Sequence, residues 1–220
     1  YTGDLDAPQI SETEVSYLLK IVNQYFNVAV SDEQVVGAFS GIRPLIESEG
    51  EQASQISRDY RLQLNRLPAP MLSVYGGKVT TYRLLAEQVL DRLQEFFPAM
   101  NGSWTASAVL PGGDFGAQDK LQQQLAERYP WLRPDLIRRW LNAYGTCAAE
   151  IVGEARSMGD LGVCFGANLF QLEVDYLCAR EWAITAEDIL WRRTKLGYVF
   201  SEEEVSSLTN YLVQCRQIQS

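Results

Sequence analysis

The chain has 220 residues, of which 46% are hydrophobic, and a net charge of −9. That is apolar matter enough for a core, and a balance too acidic for a protein that coats nucleic acid, which needs a basic surface. It contains no histidine. Serine–histidine and cysteine–histidine catalysis, and imidazole metal sites, are therefore outside what the chain itself supplies.

The longest apolar runs are too short for a membrane-spanning helix. Tyr1 stands where an initiator Met would, with no charged and then apolar leader behind it, so the chain is expected to start inside a longer protein. Arg outnumbers Lys, a bias that suits bidentate anion binding and equally follows from genomic composition. Cys147, Cys164, Cys178 and Cys215 form no C-x-x-C pair and fall mostly in helical patterns. They are expected as buried free thiols in a reducing compartment.

In chain order, Ser11 and Glu14 make a capping box, followed by Val15, Leu18, Leu19, Val22 and Phe26 at helical spacing. This predicts an amphipathic helix ending near Asn27. Val35 to Ile42 reads as a strand loosened at Ser40-Gly41, and Arg43 before Pro44 is biased to extended backbone. Glu47 to Gln55 is polar and turn-like. Ile56 to Leu64 alternates as a strand does, and Leu67 to Pro70 is a turn. Met71 to Tyr75 is a short apolar strand broken by Gly76-Gly77-Lys78. Thr80 or Thr81 can cap a helix with Leu85, Val89 and Leu93 on one face, which Pro98 stops.

Residues 98–118 are rich in Gly, Pro, Ser and Ala and read as a linker. Beyond it every pattern is helical, with helices predicted near 117–129, 134–144, 146–156, 167–182, 185–196 and 201–217. Pro134 opens one and Gly145 follows its end, and Ser201 with Glu204 makes another capping box. The expected fold class is α+β: a partial α/β segment over 1–98, then an all-α helical domain over 99–220.

Three segments of the first half could carry chemistry. In Gly41-Ile42-Arg43-Pro44-Leu45 a glycine and a proline fix the backbone around a cation, for an anion or for an ion pair with Glu47 or Glu49. In Ser57-Arg58-Asp59-Tyr60, strand alternation puts Arg58 on the face of Ile56, Tyr60, Leu62 and Leu64. A guanidinium among apolar side chains needs an anion, either a ligand phosphate or a structural carboxylate. In Gly76-Gly77-Lys78-Val79-Thr80-Thr81-Tyr82-Arg83 a strand passes through two glycines into a helix, whose first amides and dipole favour negative charge. Neither the Walker spacing nor G-x-G-x-x-G is present, and a plain helix-start turn explains the segment as well. Trp191-Arg192-Arg193-Thr194-Lys195 is a basic patch at the end of a predicted helix. Cations there complement the helix dipole, or meet a lipid headgroup or a partner.

Taken together and in this order, Gly41–Leu45, Ser57–Tyr60 and Leu72–Arg83 resemble the motifs of the aerobic, flavin-dependent glycerol-3-phosphate dehydrogenases. Val109–Gly113 and Leu190–Lys195 extend the resemblance into the tail. It implies an FAD domain of the glutathione-reductase type, a substrate domain with an antiparallel sheet, and a helical C-terminal cap. This chain would be a C-terminal portion, inactive alone and not retaining FAD, because the dinucleotide fingerprint is missing. The implied reaction oxidises sn-glycerol 3-phosphate to dihydroxyacetone phosphate by hydride transfer from C2 to flavin N5. Electrons then pass to a quinone, in a cytoplasmic enzyme peripheral to the inner membrane. By motif, Arg43 and Arg58 would bind substrate, and Gly76, Gly77, Lys78, Val79 and Thr80 would approach the flavin. Lys78 is a general base only if burial or neighbouring Arg lowers its pKa; otherwise the base lies elsewhere in the full protein. No metal is implied, and a homodimer stays open. The competing readings are an oxygen-using glycerol-phosphate oxidase or related flavin oxidase, and a helical docking module for a partner or membrane.

Overall fold

The computed structural model of the chain describes residues 3–42 and 59–219. The chain divides into two compact units, Tyr1–Ala108 and Val109–Ser220.

In the first unit, helix α1 (Glu12–Tyr25) starts as the sequence predicts. The Ser11 hydroxyl accepts from the Glu14 amide at 3.3 Å while the Glu14 carboxylate accepts from the Ser11 amide at 2.8 Å. The strand expected over Val35–Ile42 does not form: a 3-10 turn at Asp32–Gln34 leads into irregular backbone. A strand is stable only when a neighbour takes its ladder hydrogen bonds, and no described strand pairs with this segment. Its apolar residues Val36 and Phe39 stand in solvent.

Strands β1 (Tyr60–Asn65) and β2 (Met71–Gly76) make an antiparallel hairpin in which Tyr60 faces Gly76 and Asn65 faces Met71. Tyr60, Leu62 and Leu64 are half-buried and alternate with exposed Arg61, Gln63 and Asn65, as period-2 reasoning requires. Helix α2 (Tyr82–Leu93) turns Leu85, Val89 and Leu93 to its more buried side.

The second unit is helical around one core. Its helices are α3 (Gln118–Arg128), α4 (Pro134–Tyr144), α5 (Ala148–Val152), α6 (Gln171–Arg180) and α7 (Glu202–Gln219). Pro134 opens α4 and Gly145 caps its end at φ +55°. The Ser201–Glu204 capping box opens α7, with bonds of 2.8 and 3.3 Å. The α+β class and the helical second half are as expected, with one addition. A small hairpin of β3 (Cys164–Gly166) and β4 (Leu169–Phe170) occupies part of the stretch read as helix from 167. Ala167 and Asn168 hold φ of +44° and +61° between the strands, a left-handed turn that delays α6 to Gln171. The predicted helix over 146–156 is shortened to α5 because Gly153, at φ +53°, ends it. The predicted 185–196 helix becomes a π-helical turn at Asp188–Arg193.

Every buried side chain among the described residues lies between Leu125 and Leu212, that is, in the second unit. Trp140, Leu161, Leu169, Leu177, Ile189 and Leu208 are among its largest fully buried apolar groups. The thiols correct an expectation: Cys164 is exposed and Cys147, Cys178 and Cys215 are only half-buried. Cys147 and Cys178 pack on the rim of the core, whose centre Leu, Ile and Trp already fill.

Candidate functional site

The β1–β2 hairpin brings the last residue of the second sequence motif against the first glycine of the third. Tyr60 closes Ser57–Tyr60 and Gly76 opens Gly76–Arg83, and the two residues are strand partners. Gly76 and Gly77 turn the chain at φ +66° and +107°, values that any Cβ would strain. At Gly77 a Cβ would also press on the Tyr60 Cβ at 3.3 Å. Gly77 is therefore small because Tyr60 lies against it.

Past the glycines, a 3-10 turn at Val79–Thr81 hands over to α2. Thr81 takes the N-cap position but does not cap. Its hydroxyl donates back to the Lys78 carbonyl at 2.9 Å, beside its own amide at 3.0 Å. Lys78, Val79 and Thr80 are exposed, Val79 at 90%. The turn thus presents a cation, an apolar side chain and the first amides of a helical segment on one open edge. Arg83, the last residue of the motif, points elsewhere. Its Nη1 donates to Glu87 Oε1 at 3.0 Å and to the Thr105 hydroxyl at 3.3 Å. Arg43 and Arg58 lie outside the described residues. Gly41 and Ile42, which precede Arg43, line an open groove with Ile10, Tyr17 and Leu18.

The second unit holds a polar centre that the motif search passed over. Glu173, in the first turn of α6, is fully buried. Its carboxylate accepts from Arg139 Nη1 (2.6 Å) and Nη2 (2.5 Å), from Trp140 Nε1 (2.7 Å) and from the Tyr144 hydroxyl (2.7 Å). Four donors fill its acceptor sites. Burial, and then the Glu173 charge, push the Tyr144 phenol well above its usual range, so it stays a donor. Glu173 sits four residues before Leu177, on the buried face of α6.

The basic run Trp191–Lys195 is spent internally. Arg192 pairs with Glu187 and Asp188 at 2.7 and 2.9 Å. Arg193 donates to the Glu181 carbonyl at 3.1 and 2.7 Å, and Lys195 donates to the Trp191 carbonyl. Among the described residues, no three His, Cys, Asp or Glu side chains gather into a metal-holding group, and no helix is long and apolar enough to cross a membrane.

The molecule is thus a two-part α+β chain: a hairpin that delivers a glycine turn to a helix start, and a helical unit organised on a buried carboxylate paired with a half-buried arginine. Residues 103–212 match the family model described as the C-terminal domain of alpha-glycerophosphate oxidase, and the chain belongs to that family. It is similar to the glycerol-3-phosphate dehydrogenase of Pseudomonas aeruginosa, at 45% identity over 96% of this chain and 42% of the relative. The aerobic glycerol-3-phosphate dehydrogenase of Escherichia coli is 39% identical over 99% of this chain and 44% of its own length. The D-erythritol 1-phosphate dehydrogenase of Brucella abortus is 39% identical over 96% and 43%. The chain therefore spans a little over two fifths of the length of these three relatives.

Proposed function

We propose that the chain is the C-terminal portion of a flavoenzyme that oxidises sn-glycerol 3-phosphate to dihydroxyacetone phosphate and passes the electrons to a quinone at the inner-membrane surface. The observation that carries this reading is the hairpin pairing of Tyr60 with Gly76, which places the end of one motif against the start of the next. The names of the relatives support the substrate class.

The Gly76–Thr80 edge suits a flat group with a polar rim: backbone turned outward at two positive-φ glycines, a helical start behind it and the Lys78 ammonium beside it. Those residues would hold FAD, which supplies the hydride acceptor when bound. On this reading Lys78 and the first amides of the helical segment hold negative charge at that edge. Arg43 and Arg58 would bind the substrate, Arg58 at its phosphate, which would position the C2 carbon for reaction. The general base is assigned to the part of the protein outside this chain.

The test is made in the longer protein. Arg58→Leu is expected to raise KM for glycerol 3-phosphate and lower kcat/KM by about 2–4 kcal/mol of transition-state binding. Lys78→Met is expected to lower the flavin reduction potential. An unchanged kcat/KM removes Arg58 from the site, and an unchanged potential together with unchanged single-turnover reduction removes Lys78. A second reading has its own support, because the D-erythritol 1-phosphate dehydrogenase is as similar as the Escherichia coli relative. Comparing kcat/KM for the two polyol phosphates decides between them. Oxygen consumption tests the oxidase alternative.

A further inference from the structure

Helix α6 stops in a motif that ordinarily takes glycine. The amides of Glu181 and Ala183 both donate to the Leu177 carbonyl, at 3.0 and 3.1 Å, and Trp182 between them adopts φ +54°. A left-handed residue just past a helix is glycine's place because a Cβ strains the backbone there. Among the described residues the indole packs into no core. It is 84% exposed, and Ile184 beside it is 56% exposed.

The corner is nevertheless held firmly. Arg193 grips the Glu181 carbonyl with two N–H groups. Asp188 accepts from the amides of Ile184 and Thr185 at 3.0 and 2.8 Å. Ala183 and Ile184 also form one wall of a cavity of about 420 Å³, with Ala179 and Leu212 among its other walls. The neighbouring charges are satisfied by one another: Arg192 with Glu187 and Asp188, and Arg193 with Glu181 at 3.8 Å. What the corner presents is a stiff aromatic knob within a rim of paired charges. Such a knob suits an apolar pocket on a polypeptide, where a preset tryptophan loses little freedom on docking. Both arginines of the rim are already paired, so it offers neither of them to an anionic headgroup.

We propose that Trp182 and Ile184 dock into an apolar pocket of the polypeptide that the relatives carry outside the matched span. That span is large enough to supply one, since the match covers only 42 to 44% of the relatives. The proposal rests on this length and on the geometry of the corner, and is independent of the flavin reading.

The experiment compares the 220-residue chain with a fusion that places the unmatched part of the Pseudomonas aeruginosa relative ahead of it. Hydroxyl-radical footprinting read by mass spectrometry is expected to show Trp182 reactive in the chain and protected several-fold in the fusion. Trp182→Gly relieves the backbone, so it is expected to raise Tm of the chain by several degrees and to lower Tm of the fusion, where docking is lost. Equal reactivity of Trp182 in both proteins overturns the proposal, as does a Trp182→Gly variant that lowers Tm in both. Protection that grows with the concentration of the chain alone assigns the corner to a second copy and overturns it. Protection by phosphatidylcholine vesicles assigns it to lipid and overturns it. Flavin absorbance of the fusion reports separately on the proposed function.

Discussion

The Arg139 guanidinium and the Glu173 carboxylate meet through two parallel hydrogen bonds, Nη1 to Oε1 at 2.6 Å and Nη2 to Oε2 at 2.5 Å, tying α4 to the first turn of α6. Arg139 Nη2 reaches on to the Asn168 carbonyl at 2.8 Å, so the same cation also holds the turn of the small hairpin. Removing one member of such a buried pair leaves the other charge without its partner. Glu173→Leu is expected to destabilise the second unit by about 3–5 kcal/mol, and Tyr144→Phe by about 1–3 kcal/mol because one acceptor site is left empty. Urea unfolding followed by tryptophan fluorescence measures both. A Glu173→Leu variant as stable as the parent would mean that the network carries no net stability.

Gly112 and Gly145 lie backbone to backbone. The Thr146 amide donates to the Gly112 carbonyl at 3.0 Å. A Cβ on Gly145 would run into that carbonyl group, and one on Gly112 into the Tyr144 carbonyl. Both glycines hold positive φ, +79° and +55°. Gly145→Ala is therefore expected to cost about 2–4 kcal/mol, from strain and overpacking together. Gly153→Ala has the same kind of φ but open space, its nearest contact being Glu150 O at 3.7 Å, and is expected to cost only about 1 kcal/mol. Equal losses in the two variants would show that the close approach is unimportant.

Acid should weaken the turn at 184–194. The amides of Thr185 and Ile184 and the Thr185 hydroxyl hold the Asp188 carboxyl down from 3.8 to about 2. A carboxylate with a depressed folded-state pKa adds stability above its unfolded value and loses it as pH falls through the folded one. The Asp188 contribution is thus complete above about pH 4 and fades towards pH 2. Asp188→Asn is expected to lower Tm at neutral pH and to flatten its fall across that window. Parallel Tm–pH curves for parent and variant would remove Asp188 from the account.

The two units should differ when separated. Residues 109–220 contain every buried side chain described and are expected to give one cooperative thermal transition. Residues 1–108 leave Tyr25, Phe26, Val36, Phe39 and Val79 in solvent and are expected to melt without one, because little apolar area leaves water. Differential scanning calorimetry of the two pieces decides the matter. A sharp transition in 1–108 would contradict the burial pattern.

Where a structure depends on neighbours in the chain, the sequence by itself determined it. The Ser11–Glu14 and Ser201–Glu204 boxes, Pro134 and Gly145 around α4, and the alternation of Tyr60, Leu62 and Leu64 are all local rules, with partners three or four residues apart or on alternate positions. The motifs Gly41–Leu45, Ser57–Tyr60 and Gly76–Arg83 were legible for the same reason, as short runs of fixed spacing. The tertiary structure decided whatever needed a partner far along the chain. Val35–Ile42 has strand composition but no described strand to take its hydrogen bonds. Gly77 lies against Tyr60, a contact that the register of the hairpin sets and no local rule foretells. The four donors around Glu173 come together only because Arg139, Trp140 and Tyr144, some thirty residues earlier, fold back around it. The physical reason is that propensity acts within a turn of helix or a few residues of strand, whereas burial and charge pairing are set by which segments pack together.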